Sequence, residues 1–111
     1  INTINLWIPL TTCGGDTGVP GMDLVPVRLN KIVSDEGATY DWTVTDDMVH
    51  ASFVDSAPVT PLFELGDAFF FDQFYLHRTQ YGEQFKNARY ALENWFFGES
   101  TFSKSQVPIA W

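Results

Sequence analysis

The segment "GDAFFFDQFYLHRT", residues 66–79, decides the fold because it concentrates aromatic side chains in a strand-like run. A single strand through all of it would be longer than most strands in globular proteins. Asp72 followed by Gln73 is also a reasonable tight turn. We therefore predict two shorter strands, "DAFFF" and "FYLHRT", with His77 and Thr79 near the end of the second.

Two flanking segments extend this β pattern. In "INLWIPL", residues 4–10, period-two alternation predicts a core face made of Ile4, Leu6, Ile8 and Leu10. The other face, which we expect to form the wall of a polar pocket, carries Thr3, Asn5 and Trp7. In "ARYALENWFFG", residues 88–98, one predicted face of the last strand carries Arg89, Ala91, Glu93 and Trp95.

The remaining segments contain turns and one helical pattern. Residues 11–27 are rich in Gly and Pro and lack the GxxxxGK[ST] pattern, so we predict a loop that does not bind phosphate. The overlapping segment "MDLVPVRLNKIV", residues 22–33, is predicted to form short extended pieces around Pro26. In "TDDMVHASFV", Thr45 or Asp46 is the predicted N-cap of one short helix near residues 46–53. His50 lies inside it without ligands at the spacings of metal motifs, and we interpret it as structural.

Composition limits the fold and the partners. The 111 residues, 45% of them hydrophobic, predict a single domain at 1–111 that is mainly β, with short strands separated by turns. The net charge of −8 without a basic cluster disfavours nucleic acid and membrane surfaces as partners. The lone Cys13 excludes an intrachain disulfide, which suits a cytoplasmic protein.

Taken in order, "INLWIPL", "GVPGMDLVP", "GDAFFFDQFYLHRT" and "ARYALENWFF" resemble the C-terminal half of the phytanoyl-CoA dioxygenase-like Fe(II)/2-oxoglutarate oxygenases. The resemblance spans roughly residues 4–97 and is weakest at about residues 27–58. It implies a partial double-stranded β-helix of the jelly-roll or cupin type. It also implies Fe(II) and 2-oxoglutarate as cofactors, and a parent enzyme that hydroxylates a small organic substrate.

The resemblance assigns roles to individual residues. His77 corresponds to the distal histidine that binds the metal. Arg89 corresponds to the arginine that holds the far carboxylate of 2-oxoglutarate, a task that suits a guanidinium fork. Thr79 is expected to bind the same cofactor, and Trp7 is expected to line the substrate pocket.

The sequence departs from the family pattern at the metal site. No HxD or HxE motif occurs in the chain, so two of the family's three metal ligands have no counterpart. Asp72 is not a ready substitute, because it lies five residues before His77: it would face the opposite side of a continuous strand, and after a turn the sequence does not fix its direction. We therefore expect a truncated C-terminal part of a larger oxygenase-like domain, without catalytic residues or significant activity of its own.

Other interpretations remain open from the residues alone. His77 is also consistent with a core or rim histidine that is hydrogen-bonded to a backbone carbonyl, and Arg89 with a partner for Glu93 or Asp72. The alternative function is a non-catalytic cupin or jelly-roll module that binds a small ligand or a protein. Because half of a β-helix leaves strand edges and an apolar inner face exposed, we also expect a homo-oligomer, either a homodimer or an exchanged assembly, that forms through those edges.

Overall fold

The computed structural model describes residues 3–30, 45–53 and 55–98. Its elements are β1 (Thr3–Pro9), β2 (Met22–Arg28), α1 (Asp46–Ser52), β3 (Phe69–Asp72), β4 (Tyr75–Thr79) and β5 (Ala91–Phe97). The described chain is therefore mainly β with one short helix, as the sequence predicts. Among these residues, no helix is long and apolar enough to cross a membrane.

The strands form two antiparallel sheets with the core between them. One sheet has the order β3-β1-β5 and the other pairs β2 with β4. The core draws on both sheets and on the loops, and its buried members are Trp7, Cys13, Met22, Leu24, Phe63 and Phe71. Aromatic rings meet edge to face within it, with 4.9 Å between the ring centroids of Trp7 and Phe63.

The predicted orientation of β1 is wrong. Ile4 and Leu10, which were expected in the core, are 51% and 49% exposed. The face that carries Thr3, Asn5 and Trp7 is buried instead. The reason is that the β2-β4 sheet covers the side of Trp7, whereas no described element covers the side of Ile4. Alternation identifies two faces but does not say which one the second sheet covers.

The break in the aromatic run is confirmed. β3 ends at Asp72 and β4 begins at Tyr75 in the other sheet, so the chain crosses between sheets at this turn. The carboxylate of Asp72 stabilises the turn by accepting a hydrogen bond from the Phe74 N–H at 2.9 Å. The turn therefore places β4, with His77 and Thr79, on the sheet opposite β1.

The helix begins as predicted, and Thr45 rather than Asp46 is its N-cap. The Thr45 hydroxyl accepts a hydrogen bond from the Met48 N–H at 3.3 Å, and two acidic residues occupy the first turn. Arg78 on β4 pairs with Asp46 and also with Asp23 on β2. These contacts attach α1 to the outer side of the β2-β4 sheet.

Candidate functional site

Arg89 lies two residues before β5 and extends its guanidinium towards the second sheet. Its Nη1 donates a hydrogen bond to the Gly21 carbonyl at 2.8 Å, and its Nη2 donates one to the Thr79 hydroxyl at 3.0 Å. The guanidinium carbon lies 5.4 Å from the centre of the Trp7 ring, which is within cation–π range. The structure therefore brings together Arg89, Thr79 and Trp7, three of the predicted site residues.

Gly21 contributes to this arrangement through its backbone, which the sequence interpretation missed. Its carbonyl also accepts a hydrogen bond from the Gln80 N–H, and its own N–H donates to the Gln80 side chain at 2.8 Å. A Cβ on Gly21 would lie only 2.6 Å from the Gly14 Cα. Glycine is therefore required where the backbone approaches the guanidinium, and the Gly-rich loop was the available signal.

The positive charge of Arg89 has no ion-pair partner among the described residues. The carboxylate of Asp72 instead binds Arg28 at 2.8 Å. The carboxylate of Glu93 accepts hydrogen bonds from neutral donors on other side chains. The interpretation of Arg89 as a partner for Glu93 or Asp72 is therefore wrong, and the guanidinium retains N–H donors for an external anion.

His77 lies on β4, exposed, two residues before Thr79 and on the same side of the strand. Its ring contacts Phe71 edge to face, and its Nδ1 lies 2.9 Å from the Tyr75 carbonyl. A carbonyl oxygen only accepts hydrogen bonds, so in the neutral imidazole Nδ1 carries the hydrogen and the lone pair is on Nε2. This geometry matches the alternative interpretation of His77 as a rim histidine. Metal-binding histidines are held by the same kind of hydrogen bond from the other ring nitrogen, so the geometry is also compatible with Nε2 as a metal ligand.

The described residues do not provide a full set of donor atoms for an iron ion. Within 3–30, 45–53 and 55–98, no three His, Cys, Asp or Glu side chains are close enough together to hold a metal. His50 lies exposed on α1, and Asp72 is engaged by Arg28. His77 is therefore a single candidate ligand among the described residues.

The face of β1 that carries Trp7 also carries a second polar group, centred on Asn5, which the sequence predicted only in part. Asn5 on β1 is 3% exposed, and its Nδ2 donates a hydrogen bond to Glu93 Oε1 at 2.6 Å. The indole N–H of Trp95 donates to the same oxygen at 3.2 Å. The Oδ1 of Asn5 is buried without a hydrogen-bond partner among the described residues. The alternation of Glu93 with Arg89 along the predicted strand was the signal that places both on one face.

A shallow cleft of about 420 Å³ opens elsewhere, between the start of β1, the β3–β4 turn and the end of β5. Neither Arg89, Thr79 nor His77 lines it. Its walls include the Arg28–Asp72 ion pair, whose carboxylate already neutralises the cation. The Arg89 guanidinium, which no described carboxylate neutralises, is therefore chemically the better anion site of the two.

Comparison with known proteins found no relative: no family model, curated protein or solved structure matches this chain. The function is therefore inferred from the contacts around Arg89 and from the resemblance of the sequence segments that carry them.

Proposed function

We propose that this chain is the C-terminal part of a non-haem Fe(II)/2-oxoglutarate-dependent oxygenase with a partial double-stranded β-helix, and that its share of the site binds a carboxylate of 2-oxoglutarate. The observation that carries the proposal is the Arg89 guanidinium. It is held by Gly21 and Thr79 over the Trp7 ring, and no described carboxylate neutralises it.

Arg89 binds the carboxylate through its remaining N–H donors, which a planar guanidinium presents in the geometry of two carboxylate oxygens. Two of its nitrogens are already anchored, so little side-chain entropy is lost when the anion arrives. The Thr79 hydroxyl accepts from Arg89, and its own hydrogen is available to a carboxylate oxygen. Trp7 gives the guanidinium a flat apolar support on the core side.

In this proposal His77 would supply one imidazole to the metal, through Nε2. When bound with the remaining ligands of the parent enzyme, the iron would supply the oxygen chemistry that hydroxylates a small organic substrate. This chain's own contribution is limited to orienting Nε2 through the Tyr75 carbonyl and to holding the cosubstrate beside it.

The proposal is tested by titrating the protein with 2-oxoglutarate and following binding by calorimetry and by backbone NMR shifts. Arg89→Lys should weaken binding about tenfold or more, because an ammonium does not reproduce the bidentate contact. The matched control is Arg28→Lys, which alters a cation already paired with Asp72 and should leave the affinity unchanged. Equal affinity in the wild type and the Arg89→Lys variant would reject the proposed carboxylate site.

The metal part of the proposal needs a separate titration with Mn(II), a redox-stable substitute for Fe(II). His77→Ala should abolish any 2-oxoglutarate-dependent Mn(II) binding, while His50→Ala on the exposed helix should not change it. Equal weak binding by all three proteins would remove His77 as a ligand.

A second candidate function is a non-catalytic jelly-roll module that binds a small ligand or a partner protein. The observation that favours it is that no described group of side chains forms a metal site. It predicts that 2-oxoglutarate or another carboxylate binds through Arg89, with an affinity that neither Mn(II) nor His77→Ala alters.

A further inference from the structure

The Glu93 carboxylate on β5 is oriented by two neutral donors that bond to the same oxygen. Asn5 Nδ2 donates to Glu93 Oε1 at 2.6 Å, and the indole N–H of Trp95 donates to it at 3.2 Å. None of the ion pairs within the described part of the chain includes Glu93, and its side chain is exposed. The carboxylate is therefore held in place and accessible, and no cation in that part of the chain neutralises it.

The amide that orients this carboxylate carries a buried acceptor without a partner. A carboxylate only accepts hydrogen bonds, so the Asn5 atom that faces Glu93 is the nitrogen and the other is Oδ1. Asn5 is 3% exposed, and its Oδ1 receives no hydrogen bond from the residues that the structure describes. Buried acceptors are normally paired, and an unpaired one is unfavourable. Asn5, Glu93 and Trp95, the acceptor cluster, thus offer a negative charge and unused acceptor oxygens to a ligand that carries donors.

The acceptor cluster lies on the inner face of the three-stranded sheet, beside the candidate site. Its carboxylate belongs to the residue directly opposite Trp7, and the Arg89 guanidinium carbon lies 5.4 Å from the centre of the Trp7 ring. Its amide belongs to the residue directly opposite Phe71, whose ring centroid lies 4.4 Å from that of His77. Because directly opposed side chains of antiparallel strands are neighbours, the acceptor cluster adjoins the surroundings of both Arg89 and His77.

We propose that the acceptor cluster binds the primary ammonium group of a small organic amine, and that such an amine is the substrate of the parent oxygenase. The substrate role rests on the proposed function, in which the cosubstrate binds at Arg89 beside His77. A primary ammonium has a positive charge and three N–H donors, which suit the Glu93 carboxylate and the Asn5 carbonyl oxygen. Trp95 is 52% exposed, and its ring offers an apolar surface to the carbon chain of the amine.

An ammonium group fits the acceptor cluster better than a divalent metal ion does. Calcium and magnesium ions are coordinated by about six or more oxygen atoms, whereas this cluster supplies oxygens from two side chains and an indole ring. Within residues 3–30, 45–53 and 55–98, no three His, Cys, Asp or Glu side chains are grouped to hold a metal. A neutral ligand would leave the charge of Glu93 without a partner.

Titration with n-butylammonium, followed by two-dimensional NMR, tests this inference. The side-chain amide of Asn5 and the indole N–H of Trp95 give signals of their own, and both groups bond to the Glu93 carboxylate. Both signals should shift with n-butylammonium and much less with n-butanol, which has the same carbon chain without the charge. The affinity should fall as salt is added, because salt screens the attraction between the charges.

Glu93→Gln keeps a side-chain oxygen for Asn5 and Trp95 and removes the negative charge. It should weaken n-butylammonium binding about fivefold, the scale of an accessible ion pair. The matched control is Glu83→Gln, which removes the same charge at an exposed position outside the acceptor cluster and should leave the affinity unchanged. Circular dichroism checks that both variants remain folded.

Binding of 2-oxoglutarate to the same samples separates this inference from the proposed function. n-Butylammonium should still bind when 2-oxoglutarate is saturating, because a substrate and its cosubstrate occupy such a site together. Displacement of one by the other would overturn the inference, and so would equal affinity of the wild type and Glu93→Gln. Equal shifts with n-butanol, or stronger shifts with Mg(II), would also overturn it. If n-butylammonium binds and 2-oxoglutarate does not, the ammonium site stands and the proposed oxygenase function fails.

Discussion

Burial raises the pKa of the Cys13 thiol above its ordinary value, and the positive charge of Arg89 acts in the opposite direction. Cys13 is fully buried and lies in the core with Trp7 and Phe63. The thiol therefore stays protonated in the folded protein at a pH where the unfolded chain ionises. Its role is that of a small apolar core residue rather than a reactive nucleophile.

This pKa shift predicts a loss of stability at high pH. The folded state holds the proton more tightly, so the stabilising contribution is present below the unfolded pKa of about 9 and is lost as the pH rises through the folded value. The free energy of unfolding should fall above pH 9 by up to about 1.4 kcal/mol per pH unit from this group. Urea titrations between pH 7 and pH 10.5 measure the slope.

The control for this prediction is Cys13→Ala, which should cost about 1 kcal/mol at neutral pH and remove that part of the slope. Tyr and Lys residues ionise in the same range in both proteins, so the difference between the two curves isolates the thiol. Identical slopes, or rapid reaction of the native thiol with a disulfide reagent at pH 8, would contradict the assignment.

At the scale of elements, the loop between β1 and β2 positions the backbone that contacts Arg89. Gly14 in this loop has φ of +79°, and a Cβ there would clash with the Pro61 carbonyl. Gly18 has a similar φ of +70°, but nothing lies within 4 Å of its Cβ position. Substituting each glycine in turn therefore separates two contributions to the free energy of unfolding. One is the cost of a left-handed backbone conformation, and the other is the cost of a steric clash.

We expect Gly18→Ala to lower the free energy of unfolding by about 1 kcal/mol, the cost of a left-handed conformation with a Cβ. Gly14→Ala adds a backbone clash and should cost about 3 kcal/mol. It should also weaken 2-oxoglutarate binding, because Gly14 packs against Gly21, whose carbonyl holds Arg89. Equal losses of stability in chemical denaturation would show that the clash relaxes at no cost.

At the scale of the whole molecule, the two faces of the three-stranded sheet differ sharply. The inner face packs on the β2-β4 sheet, whereas the outer face leaves large apolar side chains exposed, among them Ile4, Phe70, Leu92 and Phe96. A contiguous apolar patch of this kind promotes binding or aggregation.

Phe70→Lys should therefore change solubility more than stability. Phe70 is 62% exposed, so we expect the free energy of unfolding to change by less than about 0.5 kcal/mol, while binding of a hydrophobic dye decreases. The matched change on the other side of β3 is Phe71→Lys, which buries a charge in the core and should cost more than about 3 kcal/mol. Similar stability losses in the two variants would mean that the outer face is covered.

The sequence by itself determined most of the elements, but at β2 (Met22–Arg28) it predicted only a loop and short extended pieces around Pro26, where the structure has one seven-residue strand. Period-two alternation, the Asp72–Gln73 turn and the Thr45 cap are local signals, and they predicted β1, the break between β3 and β4, α1 and the faces of β5. They also placed Arg89 and Glu93 on one side of a strand. Such signals depend on backbone geometry within a few residues, which the local sequence specifies.

Only the tertiary structure decided which face of β1 is buried and which partners Arg89 has. Both depend on how the β2-β4 sheet lies over β1, and that arrangement joins residues far apart in the chain. The contacts of Arg89 with Gly21 and Thr79 could not be deduced from spacing, because the Gly21 carbonyl carries no side-chain signal. Period-two alternation defines the two faces of β1 but does not say which of them is buried. The second sheet packs on the face that carries Trp7, and this packing decides the question.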